Sequence, residues 1–439
     1  MRHLSGSLRM KEKLWTKDFW AITIVSFIIF FVFYVLLTLL PIYIADRLHA
    51  SADKAGLLVT CFLAAAIVIR PFAGQWVGKY SNKKILVLSS LAFLVITALY
   101  PVCHSIESLL FIRVLHGITF GVITTVKGTI SARLIPASRR GEGISFFSLA
   151  MGLAMVVGPW IGLNMARWDA FTAAFWLCSA VAALGIVLSL IVTVPPVIRH
   201  ADGSKPNLGF SAMFDRAALP FALVTFFMTF SYAGVSAFLA LYARELDLMA
   251  AASNFLLCYA ILLMICRTFT GNICDKKGPK YVVYPCLLAF TIGLVALGYT
   301  NGSIMMIISG GLIGIGYGSV TPVFQTQIIS SVEPHKIGVA NSLFFNAMDA
   351  GMAIGAFIMG MMVESVGYRM IYVAGAVLVV LAGALYAVQM KKTWRDAVGF
   401  HQRVALSYIS ISISPFALQQ QGKISPGWIN AKGSVIQST

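Results

Sequence analysis

Charge is what this chain has least of. Only 11% of its residues are charged, against about 25% in an ordinary soluble domain, so a fully water-facing surface is excluded. Acids are scarcer than bases, 16 against 33. Cysteine occurs seven times, at 61, 103, 178, 258, 266, 274 and 286. None forms a CxxC pair and each lies in or beside an apolar run, so they read as small hydrophobes and not as metal ligands or disulfides. GxxxxGK[ST] is missing, which leaves ATP out as the direct energy source. HExxH, GxSxG and any carboxylate pair are also missing. No enzyme, metal site or cofactor is expected. What the chain has instead is apolar length: 59% hydrophobic residues and a mean hydropathy of +0.85.

The apolar runs are too long and too continuous for a barrel, whose strands alternate in segments of about ten residues. They predict an all-α membrane protein with helices near 18–45, 55–78, 84–104, 107–132, 141–166 and 171–195. A polar linker follows over 196–216, with ProPro, AspGly and LysPro. Six more helices are expected near 217–243, 251–274, 280–300, 303–330, 337–363 and 369–390. Residues 1–17 form a basic N-terminal segment, and the first apolar run continues through Pro41, longer than a cleavable signal. The tail, 393–439, is polar, is expected to be poorly ordered, and carries a Ser-Ile alternation that would suit a short strand at most.

The +17 net charge would suggest nucleic acid only if its location were ignored. Lys79, Lys83, Lys84, Arg139, Arg140, Lys276, Lys277, Lys280 and Lys336 fall in alternate loops, while the other loops hold only Arg47, Lys54, Arg167, Arg244 and Arg369. Basic loops mark the cytoplasmic side, which places both termini there, in the cell membrane. The partners expected are a lipid bilayer and a small-molecule substrate, with no nucleic acid.

The two halves repeat at an offset of 197 residues. Arg70-Pro-Phe-Ala-Gly74 matches Arg267-Thr-Phe-Thr-Gly271, Gly117 and Gly121 match Gly314 and Gly318, Gly141 matches Gly338, and Gly158 matches Gly355. Equivalent halves of this kind place a transporter's site between them at mid-membrane. The expected architecture is therefore twelve transmembrane helices, as two six-helix pseudo-repeats around a central cavity.

Within this plan, polar residues inside apolar runs are the candidate site. The stretch from Glu107 to Pro136 carries Arg113, His116 and Lys127. At 100° per residue these share a face with Phe120 and Thr124, next to a smooth face of Gly117, Gly121 and Gly128. This predicts a helix lining a water-accessible cavity. Arg113 needs a partner or a route to the interface, His116 either exchanges protons or packs neutral, and Lys127 either attracts an anion or reaches the interface. Asp349 is the only acid deep in a span, with Asn346 on the same face. A carboxyl there takes and gives a proton as its exposure changes, or neutralises a cation.

These residues resemble the major facilitator superfamily over about 18–392. The loop Gly74-Gln-Trp-Val-Gly78-Lys79-Tyr-Ser-Asn-Lys83-Lys84 is similar to that superfamily's signature, but with Gly78 at the acidic position. Its second-half copy, Gly271-Asn-Ile-Cys-Asp275-Lys276, keeps the acid. The resemblance implies conformational gating by Gly74, Lys79, Lys83, Gly271, Asp275 and Lys276. Arg113-Val-Leu-His116-Gly117 resembles the fourth-span signature of proton-coupled members, and implies proton coupling through Arg113, His116 and Asp349. Gly158-Pro159 resembles the antiporter motif of the fifth span, and the bare residues fit a packing kink equally well. Family position implies a substrate cavity with Phe30, Phe31, Tyr34, Lys127, Phe230, Tyr232, Phe324, Gln325, Gln327 and Asn346. Drug antiporters of the superfamily often carry an acid in the first span; this chain has none from Phe19 to Tyr43.

The expected function is a secondary active transporter, proton-coupled, exporting amphipathic drugs or metabolites and working as a monomer. The alternative is an importer, exchanger or flippase for small organic anions or anionic lipid.

Overall fold

The computed structural model describes residues 13–49, 52–194 and 215–420. Among these it contains no strand and twelve helices long and apolar enough to cross a membrane. They are α1 (Lys17–Leu48), α2 (Ala52–Lys79), α3 (Asn82–Ala98), α4 (Ile106–Leu134), α5 (Arg140–Arg167), α6 (Phe171–Ile191), α7 (Leu219–Glu245), α8 (Met249–Lys277), α9 (Lys280–Gly298) and α10 (Ser303–Ser330). A last helical run, Ile337–Gln420, breaks at Gly367 (φ 77°, ψ 170°), a backbone shape glycine adopts without a Cβ clash. We call its two parts α11 and α12. Residues up to Gly383 form one compact unit and those from Ala384 a second; the cavity and every site residue described below lie in the first.

The spans follow the expected positions to within a few residues. The tail differs: its backbone stays helical to Gln420, beyond the point where order was expected to end, since an established helix extends one residue at a time at little cost. The Ser-Ile alternation lies inside this helix and not in a strand. Residues 1–12, 195–214 and 421–439, which include most of the expected linker and the tail's end, lie outside the described residues.

Packing explains the glycine repeat. Helices in a bilayer gain little from apolar contact as such, so close approach through small residues decides which faces meet. A Cβ on Gly117 or Gly121 would strike the α2 backbone at Phe62 and Ala66, and one on Gly314 would strike the α8 backbone at Tyr259. Gly158 lies against Tyr34 and Val35 of α1, while Gly355 lies against Phe230 of α7. Each half thus joins its helices at the same register. The equivalence loosens in α10, where Gly314–Gly318 forms a wide π turn with Gly316 packed on Phe290. Such turns gather at functional sites.

The candidate transport cavity

A cavity of about 1130 Å³ lies between the halves. Its lining starts at Arg70, Arg267 and Phe345 near mid-helix and extends to Val59 on α2 and Met361 on α11. Those ends lie away from the basic loops. At the basic end the helices close: a Cβ on Gly338 would sit 2.6 Å from the Gly74 carbonyl oxygen, and one on Gly271 would sit 2.4 Å from that of Gly141. Asp275 completes this closure. Its Oδ1 accepts the Gly141 N–H at 2.7 Å and its Oδ2 accepts the Glu142 N–H at 2.8 Å. These are orphan donors at the start of α5, where the helix dipole also favours an anion.

The cavity wall is mostly apolar and adaptable. Five methionines line it (Met151, Met155, Met348, Met352 and Met361) beside Phe30, Phe33 and Phe120. Unbranched methionine adjusts to differently shaped ligands. Four tyrosines give it polar points: Tyr34, Tyr232, Tyr259 and Tyr317, with Tyr232 stacked on Tyr317 at 4.0 Å between ring centres. Among the described residues Asp349 is the one carboxylate in the lining. It is ion-paired with Arg70 across the halves, and Arg70 also lies 5.8 Å from the Phe120 ring centre and 5.3 Å from that of Phe345. Asp349 is 20% exposed and Arg70 only 1%, so the acid is the more accessible member of the pair.

Lys127 lies in a small side chamber with Ser26, Phe147, Ser148 and Gln325. Its Nζ donates to Ser26 Oγ at 2.6 Å and sits 4.3 Å from the Phe30 ring centre. Gln325 lines the same chamber and donates to Asn341 Oδ1 at 3.0 Å. Of the expected substrate residues, Phe30, Tyr34 and Tyr232 line the main cavity. Phe31, Phe230, Phe324, Gln327 and Asn346 do not. Phe31 stacks on Phe27, Phe230 backs Gly351 and Gly355, Phe324 is buried, Gln327 is half-buried, and Asn346 holds a buried Oδ1 without a partner.

The expected proton-coupling set is not brought together. Asp349 faces the cavity, but Arg113 and His116 point elsewhere. Arg113 donates from Nε to the Leu58 carbonyl at 3.2 Å and lies over Phe62 at 4.3 Å. His116 is buried against Phe93, with Nδ1 3.0 Å from Tyr100 Oη and Nε2 3.4 Å from Thr97 Oγ1. The polar face of α4 therefore turns toward α2 and α3 at this level, and of the shared face only Phe120 lines the main cavity. Among the gating residues, Gly74, Gly271 and Asp275 meet the opposite half. Lys83 fastens its own half, donating to the Leu190 and Val192 carbonyls at the end of α6. Lys79 and Lys276 are exposed. Gly158 packs on α1, and Pro159 lies inside α5. Arg70, Arg267, Tyr259, Tyr317 and the methionines were not singled out in sequence. The two arginines had a signal there: they head the first matched pair of the repeat.

Comparison with known proteins shows the family and the fold. The family model of the Major Facilitator Superfamily matches residues 22–356 and, again, 222–412. An MFS-type transporter of Methanocaldococcus jannaschii is 23% identical over 384 residues, covering 86% of this chain and 99% of its own. The staphylopine export protein of Staphylococcus aureus is 25% identical over 376 residues, covering 78% and 89%. Among solved structures, the human organic anion transporter MFSD10 (TETRAN) superposes with a TM-score of 0.74 at 16% identity, covering 84% of this chain and 98% of that one.

Proposed function

Since the chain belongs to the Major Facilitator Superfamily and is a multi-pass membrane transporter, we propose that it is a proton-coupled antiporter exporting amphipathic small molecules by alternating access. The observation that carries this reading is Asp349, among the described residues the one carboxylate lining a methionine- and aromatic-walled cavity, bonded across the halves to Arg70. When Asp349 takes a proton the ion pair is lost, and Arg70 must find another partner or move. One protonation thus acts on a bond between the two halves. The apolar wall accepts varied bodies, and the tyrosine hydroxyls orient polar groups. Export as the direction is supported by Gly158-Pro159 and by the similarity to the staphylopine export protein.

On this reading the protein is a carrier and not an enzyme. It works as a monomer in the cell membrane with both termini cytoplasmic, needs no cofactor beyond an ion gradient, and binds no nucleic acid. An importer or exchanger of small organic anions is the second reading. It is favoured by the excess of Arg70, Arg267 and Lys127 over Asp349 at the cavity and its side chamber, and by the fold shared with an organic anion transporter.

The test is proton movement in proteoliposomes, wild type against Asp349→Asn, over cationic, neutral and anionic amphiphiles. Substrate-induced proton movement in the wild type, lost in the variant, is expected. Unchanged movement in Asp349→Asn removes Asp349 from coupling, and proton-independent flux of anions alone selects the second reading.

A further inference from the structure

Carried across the whole chain, the repeat places one arginine of each half in the cavity wall but an acid in only one. At the offset that relates Arg70 to Arg267, the position equivalent to Asp349 is Gly152. Both positions line the cavity, and their geometry is equivalent. Asp349 of α11 bonds Arg70 of α2. A Cβ built on Gly152 of α5 would lie 3.3 Å from Nη1 of Arg267 on α8. A side chain at 152 would therefore meet Arg267 as Asp349 meets Arg70.

Arg267 is 3% exposed, and a guanidinium stays protonated in a protein. Its bonds go to backbone: Nε to the Gly318 carbonyl at 2.7 Å, in the π turn, and Nη1 to the Ser148 carbonyl at 2.6 Å, in the other half. Among the described residues no carboxylate oxygen lies within 4.0 Å of it. Two carbonyls orient the group without cancelling its charge, and a buried charge without a counter-ion is costly. Arginine has five N–H donors in a planar fork suited to a carboxylate, and two are used here.

We propose that Arg267 and the side-chain-free surface at Gly152 form a carboxylate-binding subsite, in which the anionic end of an amphipathic substrate stands where the other half carries its own Asp349. Tyr259, Tyr317 and Thr321 line the same cavity, and the methionine wall takes the apolar body. The substrates are then organic acids with one carboxylate and an apolar frame. This rests on the reading of the cavity as the substrate site and holds for either direction of transport. It also separates two tasks: an anion at Arg267 leaves Asp349 free to exchange its proton, whereas an anion at Arg70 would compete with Asp349 directly.

The test uses the full chain in lipid nanodiscs with two probes that differ in charge alone, 2-naphthylacetate and 2-naphthylacetamide. The readout is the ratio of their affinities. The wild type is expected to prefer the acid. Gly152→Asp supplies the missing carboxylate, and its nearest neighbours, Leu263 Cδ2 at 3.2 Å and Arg267 Nη1, are side-chain atoms that can give. It should lower the preference by about tenfold or more, as should Arg267→Gln. Gly152→Asn, equal in size but uncharged, should lower it far less. A preference unchanged in Gly152→Asp, an equal fall in Gly152→Asn, or no binding of the acid by the wild type overturns the subsite. Proton-driven export by the same preparations reads the function separately. Acid preference without export keeps the subsite and removes the exporter, and export of both probes without preference does the reverse.

Discussion

At the residue scale, three buried cations at the cavity are accommodated in three ways, and their substitutions should differ accordingly. Arg70 has a carboxylate, Arg267 has two backbone carbonyls, and Lys127 has a serine hydroxyl and two aromatic rings. Removing one member of a buried ion pair strands the other, at a cost of about 3–5 kcal/mol; the partial exposure of Asp349 argues for the lower end here. Removing a buried cation that has no acid beside it strands no charge, and an apolar replacement of similar length recovers packing. Thermal unfolding in detergent should therefore show Arg70→Met melting well below wild type, with Lys127→Met level with wild type or above it. A Lys127→Met protein that melts as low as Arg70→Met would mean that Lys127 has an anionic partner. Asp349 was legible in sequence because a lone acid in an apolar span stands out. Arg113 and His116 stood out equally, yet they bond Leu58 and Tyr100, away from the cavity. Sequence shows that a polar residue inside a span needs a partner; it does not show whether the partner is a substrate or the neighbouring helix.

At the scale of elements, the closed end is held by contacts that only glycine and one acid permit. Asp275 ties α8 to the first turn of α5 by accepting a backbone N–H at each carboxylate oxygen, so Asp275→Asn keeps the size but loses the charge and one of the two acceptors, its NH2 then facing a backbone N–H. Those losses should weaken the closed state by about 1–2 kcal/mol, a shift of about five- to thirtyfold in the open-to-closed ratio. Distance measurements between spin labels on α5 and α8 at the basic end should show the longer-distance population rise. Gly271→Val should act more strongly, since any Cβ there meets the Gly141 backbone, and transport should fall to background because the end cannot close. The equivalent contact of the first half has Gly78 where Asp275 has its carboxylate, and there Gly74 packs on Gly338, Val339 and Ser342 while Val77 packs on Gly338. The asymmetry was visible in sequence, since the two loops align. Which helix the acid would meet was not, because the α5 donors come from 134 residues away along the chain.

For the whole molecule, a two-fold repeat that is imperfect in a few places accounts for both how it folds and what its cavity can bind. Span number follows from apolar length and the close-packing faces from glycine register, and both were readable; which helices meet across those faces was not. The cavity's lining was only partly readable, because lipid and protein interior are equally apolar and hydropathy cannot tell a lipid-facing methionine from one facing the cavity. The lining nevertheless makes a sided prediction. It reaches Val59 and Met361 but stops at Phe345, with Ser342 buried at the basic end against Gly74. In a chain whose native cysteines are replaced, a cysteine at Val59 should react in intact cells with a membrane-impermeant thiol reagent, and one at Ser342 should not. Adding Asp275→Asn to the Ser342→Cys protein should let a permeant reagent reach it from the cytoplasm, as the closed end loosens. Reaction at 342 but not at 59 from outside would reverse the orientation drawn from the basic loops, and reaction at both would mean that the cavity runs through the protein with no closed end.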